Sequence, residues 1–105
     1  MYLIIKNKKI EIKECNHFFS KLKGFMFKKN INYGLRFKNC NSIHTFFMFE
    51  NIDVIMTDKN NKVIKVYNNF KKNKIILPKT SVYYTYELPN NHNSYGIGDI
   101  LKLLD

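Results

Sequence analysis

The sequence predicts a mainly β domain: a small β-sandwich or partly closed barrel of short, mostly antiparallel strands, with one short α-helix near residues 16–24. Three observations point there. Short β-branched and aromatic runs recur along the chain, at "YLIIK", "KIEIKE", "YGLRF", "IDVIMTD", "KVIKVY" and "SVYYTYELP". Asn-, Lys- and Gly-rich turns separate those runs. Only "NHFFSKLKGFMF" changes to a helical period.

Taken in order, "YLIIK" and "KIEIKE" flank the turn "NKK" and read as a hairpin or two successive strands. In the next segment Phe18, Phe19, Leu22 and Met26 fall on one side of a helix, with Asn16 as its N-cap and Gly24 as its stop. "YGLRF" follows as a strand. "IHTFFMF" reads as a buried strand on its β-branched and aromatic content. "IDVIMTD" and "KVIKVY" enclose "KNN", a hairpin signal. "KIILP" and the longer "SVYYTYELP" are further strands, the latter with Val82, Tyr84 and Tyr86 expected on one face. A polar loop, "NNHNSYGIGD", leads to "ILKLL", read as a last short strand with a helix as the alternative. Phe18, Leu22, Met26, Phe46, Val54 and Tyr84 are expected to share one core.

A chain of 105 residues fits a single domain over 1–105, large enough to bury a core without disulfides or metal. No apolar run approaches the ~18 residues of a membrane span, and "MYLIIKNKK" is too short in apolar residues for an export signal. The expected compartment is therefore the cytoplasm, with no membrane partner. The formal charge of +10 raises a nucleic-acid reading. Its make-up argues against specific recognition, because seventeen of the basic residues are Lys and only Arg36 is Arg. Base and phosphate recognition leans on the planar guanidinium fork. Abundant Lys, Asn and Ile with no Ala or Gln fit an AT-rich coding bias, so only non-specific, salt-sensitive polyanion contact is expected.

The stretch "CNSIHTFFMFENIDVIMTD", Cys40 to Asp58, carries the candidate chemistry. A thiol, an imidazole and a carboxylate surround an apolar run. Cys40 lies in a loop and His44 at a strand start, with Thr45 beside it. Met48 completes a soft-ligand set, but residues four apart in a strand are separated by ~13 Å, too far to share one metal at ~2.0–2.3 Å. No metal site and no cofactor are expected. A Cys40–His44 nucleophile meets the same obstacle, and its thiol needs a lowered pKa, for which Lys38 and Lys62 are the available cations. Cys15, after the alternating "IEIKE", reads as a small buried residue. Asp53 and Glu87 each interrupt an apolar strand, where a carboxylate needs donors around it. Cys40, His44, Thr45, Asp53 and Glu87 are therefore the candidate ligand-binding residues. Asp53 with Glu87 is also a candidate acid–base pair.

The order of motifs resembles the domain-of-unknown-function family numbered 192. The family pattern of a Gly-Leu-Met turn, a Leu-Asp-aliphatic strand, a Leu-Glu-Leu-Pro strand end and a C-terminal Gly-Asp is matched by Gly24-Phe25-Met26, Ile52-Asp53-Val54, Tyr86-Glu87-Leu88-Pro89 and Gly98-Asp99. Phe25 replaces the usual Leu, Lys21 a frequent Arg, and the Cys40 to Thr45 segment matches a branch without the common Trp-Met-Lys-Asn-Thr. The resemblance implies a compact β-rich fold with one helix and no established reaction. The expected function is a small binding or accessory module, taking a small molecule or protein partner at a recess near His44 and Asp53. Two other classes stand beside it: an enzyme using Cys40 and His44, and a weak electrostatic nucleic-acid binder.

Overall fold

A computed structural model of the chain describes residues 1–16 and 24–105. Among the described residues the strands are β1 (Tyr2–Ile5), β2 (Lys8–Cys15), β3 (Gly34–Lys38), β4 (Ile43–His44), β5 (Ile52–Thr57), β6 (Val63–Phe70), β7 (Ile75–Ile76), β8 (Tyr84–Pro89) and β9 (Leu103–Leu104). Seven form one sheet in the order β6-β5-β8-β3-β2-β1-β9, and β4 pairs with β7 in a second. Every pairing is antiparallel except β2 with β3, where Ile12 stands beside Gly34 and Cys15 beside Phe37.

The large sheet curls into a half-barrel, and its packing shows why. Leu3 and Ile10 from one end share a cluster with Ile55, Val63, Tyr86 and Leu88 from the other. Strands several positions apart can meet in one core only if the sheet bends around it. The edges are linked near one end: Lys62 bridges Ile100, and Val63 N–H donates to the Asp99 carbonyl at 2.7 Å. Close approach also fixes Gly34. A Cβ there would lie 2.6 Å from Ile12 Cδ1 and 2.8 Å from a Leu88 methyl, so a larger residue would have to displace those side chains for β3 to enter between β2 and β8.

The outer face of the same strands has its own core. Phe25, Leu35, Phe37, Val54 and Met56 pack there with Ile43, Met48 and Ile76 from the covering loops. Strand β5 is thus buried on both faces, which explains its unbroken apolar run in place of polar alternation. Each fully buried Val, Ile or Met on it contributes about 1.5–3 kcal/mol of transfer free energy.

The mainly β expectation holds, and the β1–β2 and β5–β6 hairpins form where the turns predicted them. In the second, Asp58 Oδ1 accepts the N–H groups of Asn60 and Lys62 at 2.8 and 3.0 Å, and Asn61 takes the left-handed conformation at φ 61°. The helix expected near residues 16–24 falls on residues 17–23, outside the described residues; no helix occurs among those described.

Two expectations are corrected. "IHTFFMF" is not a buried strand, because only Ile43 and His44 are extended, Phe47 turns the chain with φ 62°, and Phe46 is 42% exposed. Phe46 therefore leaves the expected shared core, Val54 and Tyr84 belong to different clusters, and Phe18 and Leu22 lie outside the described residues. Strand β8 begins at Tyr84, so Val82 joins the outer core while Tyr84 and Tyr86 lie with the inner one.

Candidate functional site

Thr45 explains why the expected strand stops. Its hydroxyl donates to the Lys71 carbonyl at 2.8 Å and accepts the Lys74 N–H at 2.8 Å, while its own N–H donates to the Lys74 carbonyl. A β-branched residue that would extend a strand is instead the buried clasp between two loops. Glu50 makes the second clasp, accepting Asn30 N–H at 2.8 Å and Ile31 N–H at 3.3 Å. Phe27 N–H donates to the Phe47 carbonyl at 3.0 Å. Loops 24–31, 44–50 and 71–77 are thereby tied into one unit over the outer core.

That unit presents apolar side chains to solvent. Phe27 and Phe47 are 58% and 63% exposed, and their rings stack with centroids 5.8 Å apart. Phe49 lies 6.0 Å from Phe27, and Phe46 stacks on His44 at 5.4 Å. Ile75, paired with His44 in the β4–β7 ladder, is exposed, as is Leu77. Phe27 and Phe47 both have φ 62°. A bulky residue in the left-handed region carries roughly 1–3 kcal/mol of strain, tolerated only where the surroundings impose it. Lys28, Lys29, Lys71, Lys72 and Lys74 are exposed on the same loops, with Lys29 Nζ 5.2 Å from the Phe49 ring centre. Sequence reasoning missed this surface. The available signal was the adjacent pair Phe46-Phe47, since neighbouring strand residues cannot both face one core.

The expected site residues are distributed over several surroundings. Cys40 lies in the loop before β4, half-buried against the outer core, and its Sγ donates to the Ser42 carbonyl at 3.2 Å. His44 Nδ1 accepts the Phe46 N–H at 3.2 Å. Asp53, 2% exposed, accepts three backbone N–H groups: Asn69 at 2.8 Å, and His92 and Asn93 at 3.0 Å each. His44, at the end of β4, and Asp53, in β5, thus bind different loops. Asp53 pairs with Leu88 and Val54 with Glu87, so the two carboxyls leave the sheet on opposite faces. Cys15 is buried, as its place after "IEIKE" implied.

Glu87 is the unusual group. It is 2% exposed on the outer-core face, and its Oε1 has no hydrogen-bond partner among the described residues. Burial pushes its carboxyl up to about 8, opposed only by the N–H of Phe25. Gly24 sits against it: a Cβ at Gly24 would lie 3.0 Å from Oε1, at a backbone φ of +50°. The glycine turn and the Tyr-Glu-Leu-Pro strand end are therefore one contact. Arg36 also has a structural assignment, bonded to Glu14 in a salt bridge and lying 4.6 Å from the Tyr84 ring centre. That removes the single guanidinium from recognition duty.

The geometry can be set beside known proteins. The DUF192 family, described as an uncharacterized ACR, matches residues 2–99. A UPF0127 protein of Thermococcus kodakarensis is 33% identical over 85 residues, covering 75% of this chain and 54% of that protein. Its counterpart in Pyrococcus horikoshii is 38% identical over 85 residues, covering 75% of this chain and 72% of that protein. The chain spans about half the length of the Thermococcus relative. A crystal structure from Sinorhizobium meliloti, provisionally classed as a transcription regulator, shares the fold with a TM-score of 0.80 at 14% identity over 96% of this chain and 89% of that one. A protein of unknown function from Novosphingobium aromaticivorans does so with a TM-score of 0.76 at 13% identity, over 97% of this chain and 82% of that one. Likeness at such identities is one of fold. The match across nearly the whole chain and the UPF0127 relatives together show that this chain belongs to the uncharacterised DUF192 family.

Proposed function

We propose that the chain is a binding module whose contact surface is the three-loop platform of Phe27, Phe47, Phe49, Ile75 and Leu77. Its partner is a protein segment, apolar at its centre and acidic at its margins. The observation that carries this reading is the Phe27–Phe47 pair, stacked, more than half exposed, and held in strained backbone. Strain that points two aromatic rings outward does nothing for the core, and clustered exposed apolar side chains mark interaction sites.

Charge selects the occupant. Five exposed lysines sit on the platform loops, and the acid among them, Glu50, is engaged by backbone donors. An apolar centre inside a charged rim is the anatomy of a protein interface. A second copy would set lysines against lysines, which disfavours self-association. Bases can stack on Phe27, Phe47 and Phe49, but Ile75 and Leu77 extend the patch with apolar surface that has no π face, and the lone Arg36 is occupied by Glu14. His44, under Phe46, borders this surface, whereas Asp53 belongs to the other face of the sheet.

A random peptide library selected on the protein, with counter-selection on a Phe27→Ala/Phe47→Ala variant, tests the proposal. The enriched peptides should carry Asp or Glu around an aromatic or aliphatic centre. They should shift the amide resonances of residues 27–29, 46–50 and 73–77, and bind the double variant at least tenfold more weakly. Peptides that bind the double variant equally well would contradict the platform. Loss of single-stranded DNA or anionic-vesicle binding in that variant, with no peptide enriched, would contradict the protein partner.

A further inference from the structure

A separate recess lies along β1 and the loop that follows β8. It consists of two adjoining cavities of about 390 and 450 Å³, which share Lys6. Residues 5–8 of the β1–β2 turn and residues 91–93 bound the first, and Ser94, Tyr95, Asp99 and Lys102 line the second with Lys6. Either volume suits a small metabolite.

The walls are built rather than incidental. Buried Asp53 reaches from the sheet to hold the His92 and Asn93 N–H groups from beneath. Asn93 Oδ1 accepts the Tyr95 N–H at 2.8 Å, and its amide donates to Asn68 Oδ1 at 2.8 Å. The Tyr95 hydroxyl donates to the Ile4 carbonyl and accepts the Lys102 N–H at 3.2 Å, joining the loop to β1. Lys6 has φ 56°, in a turn position where Asn or Gly is the unstrained choice. Lys6 lines both cavities.

The two cavities differ in charge. The first contains Lys6, Lys8 and His92 with no acid, and the second adds Lys102 and the carboxylate of Asp99. Asp99 Oδ2 accepts the Gly96 N–H at 2.8 Å, and a carboxylate has capacity for further donors. A dianion matches the two lysines of the first cavity better than a monoanion, and a hydroxyl matches Asp99. We infer that this recess binds a phosphorylated, hydroxyl-bearing small molecule of the sugar-phosphate class, its phosphate at Lys6 and Lys8 and its hydroxyl groups at Asp99. The inference is independent of the platform.

Titration of the chain with ribose 5-phosphate, inorganic phosphate and ribose, followed by NMR, tests it. Ribose 5-phosphate should shift the amides of residues 6–8, 91–93 and 99–102, and should bind at least fivefold more tightly than inorganic phosphate. Lys6→Gly suits the turn, so it should keep the unfolding midpoint while lowering affinity tenfold or more. Lys59→Ala, in the β5–β6 turn, should leave ribose 5-phosphate affinity unchanged. Asp99→Asn should abolish the preference for ribose 5-phosphate over inorganic phosphate. Shifts spread over lysines across the surface, unchanged affinity in Lys6→Gly, or equal binding of inorganic phosphate would each overturn the inference.

Discussion

The two faces of the β5–β8 ladder use their polar residues in opposite ways. On the inner face Asp53 accepts three backbone N–H groups, and Tyr86 donates to Asn61. On the outer face Glu87 is equally buried, yet one of its oxygens has no partner among the described residues, and the loops above hold strained, exposed aromatics. Burial is the same; satisfaction is not. The matched carboxylate of Asp53 serves stability, whereas departures from local rules concentrate where a protein functions.

The sharpest way to break this contrast is Asp53→Ala, which strips three backbone donors of their acceptor at once. It should destabilise the chain by about 3 kcal/mol in chemical denaturation, and a loss under 1 kcal/mol would mean that water replaces the carboxylate. Glu87→Gln should do the reverse at neutral and higher pH. The folded carboxyl keeps its proton up to about pH 8, whereas the unfolded chain releases it near the ordinary 4.5. The folded state therefore binds more protons in that window, so wild-type stability falls as pH rises through it. The Gln variant should lack this decline; parallel curves for both proteins at pH 5, 7 and 9 would refute the assignment.

Gly24→Ala should cost about 1–2 kcal/mol, from the left-handed φ and the 3.0 Å approach to Glu87 Oε1. If Glu87→Gln fully restored that loss, strain at the glycine would count for nothing. Phe46→Ala should change stability by less than 1 kcal/mol, since the ring rests on His44 at the surface. A loss of 3 kcal/mol would return Phe46 to the core.

Hairpins were legible in the sequence because their information is local: apolar runs bounded by Asn-rich turns mark both strands, though not the register shifts of the β5–β6 pair. The curl was less so, because it depends on Leu3 meeting Val63, a contact no periodicity reports. Asp53 and Glu87 stood out as carboxylates in apolar runs, but their opposite facing follows from strand register, which needs the partner strand. The run from Ile43 to Phe49 misled for a definite reason. Its β propensity is real, yet the Thr45 hydroxyl bonds to residues 71 and 74 and ends the extended chain. Tertiary hydrogen bonding overrode the local preference.

The most direct test of the outer face as a working surface is the stability of Phe47→Gly set against its peptide affinity. Glycine accepts φ 62° without strain, so the variant should be as stable as the wild type or more stable by up to ~1 kcal/mol. The same variant should bind the selected acidic, apolar peptides at least tenfold more weakly. A variant that loses more than 1 kcal/mol of stability and keeps its peptide affinity would show that Phe47 serves the fold, not a partner.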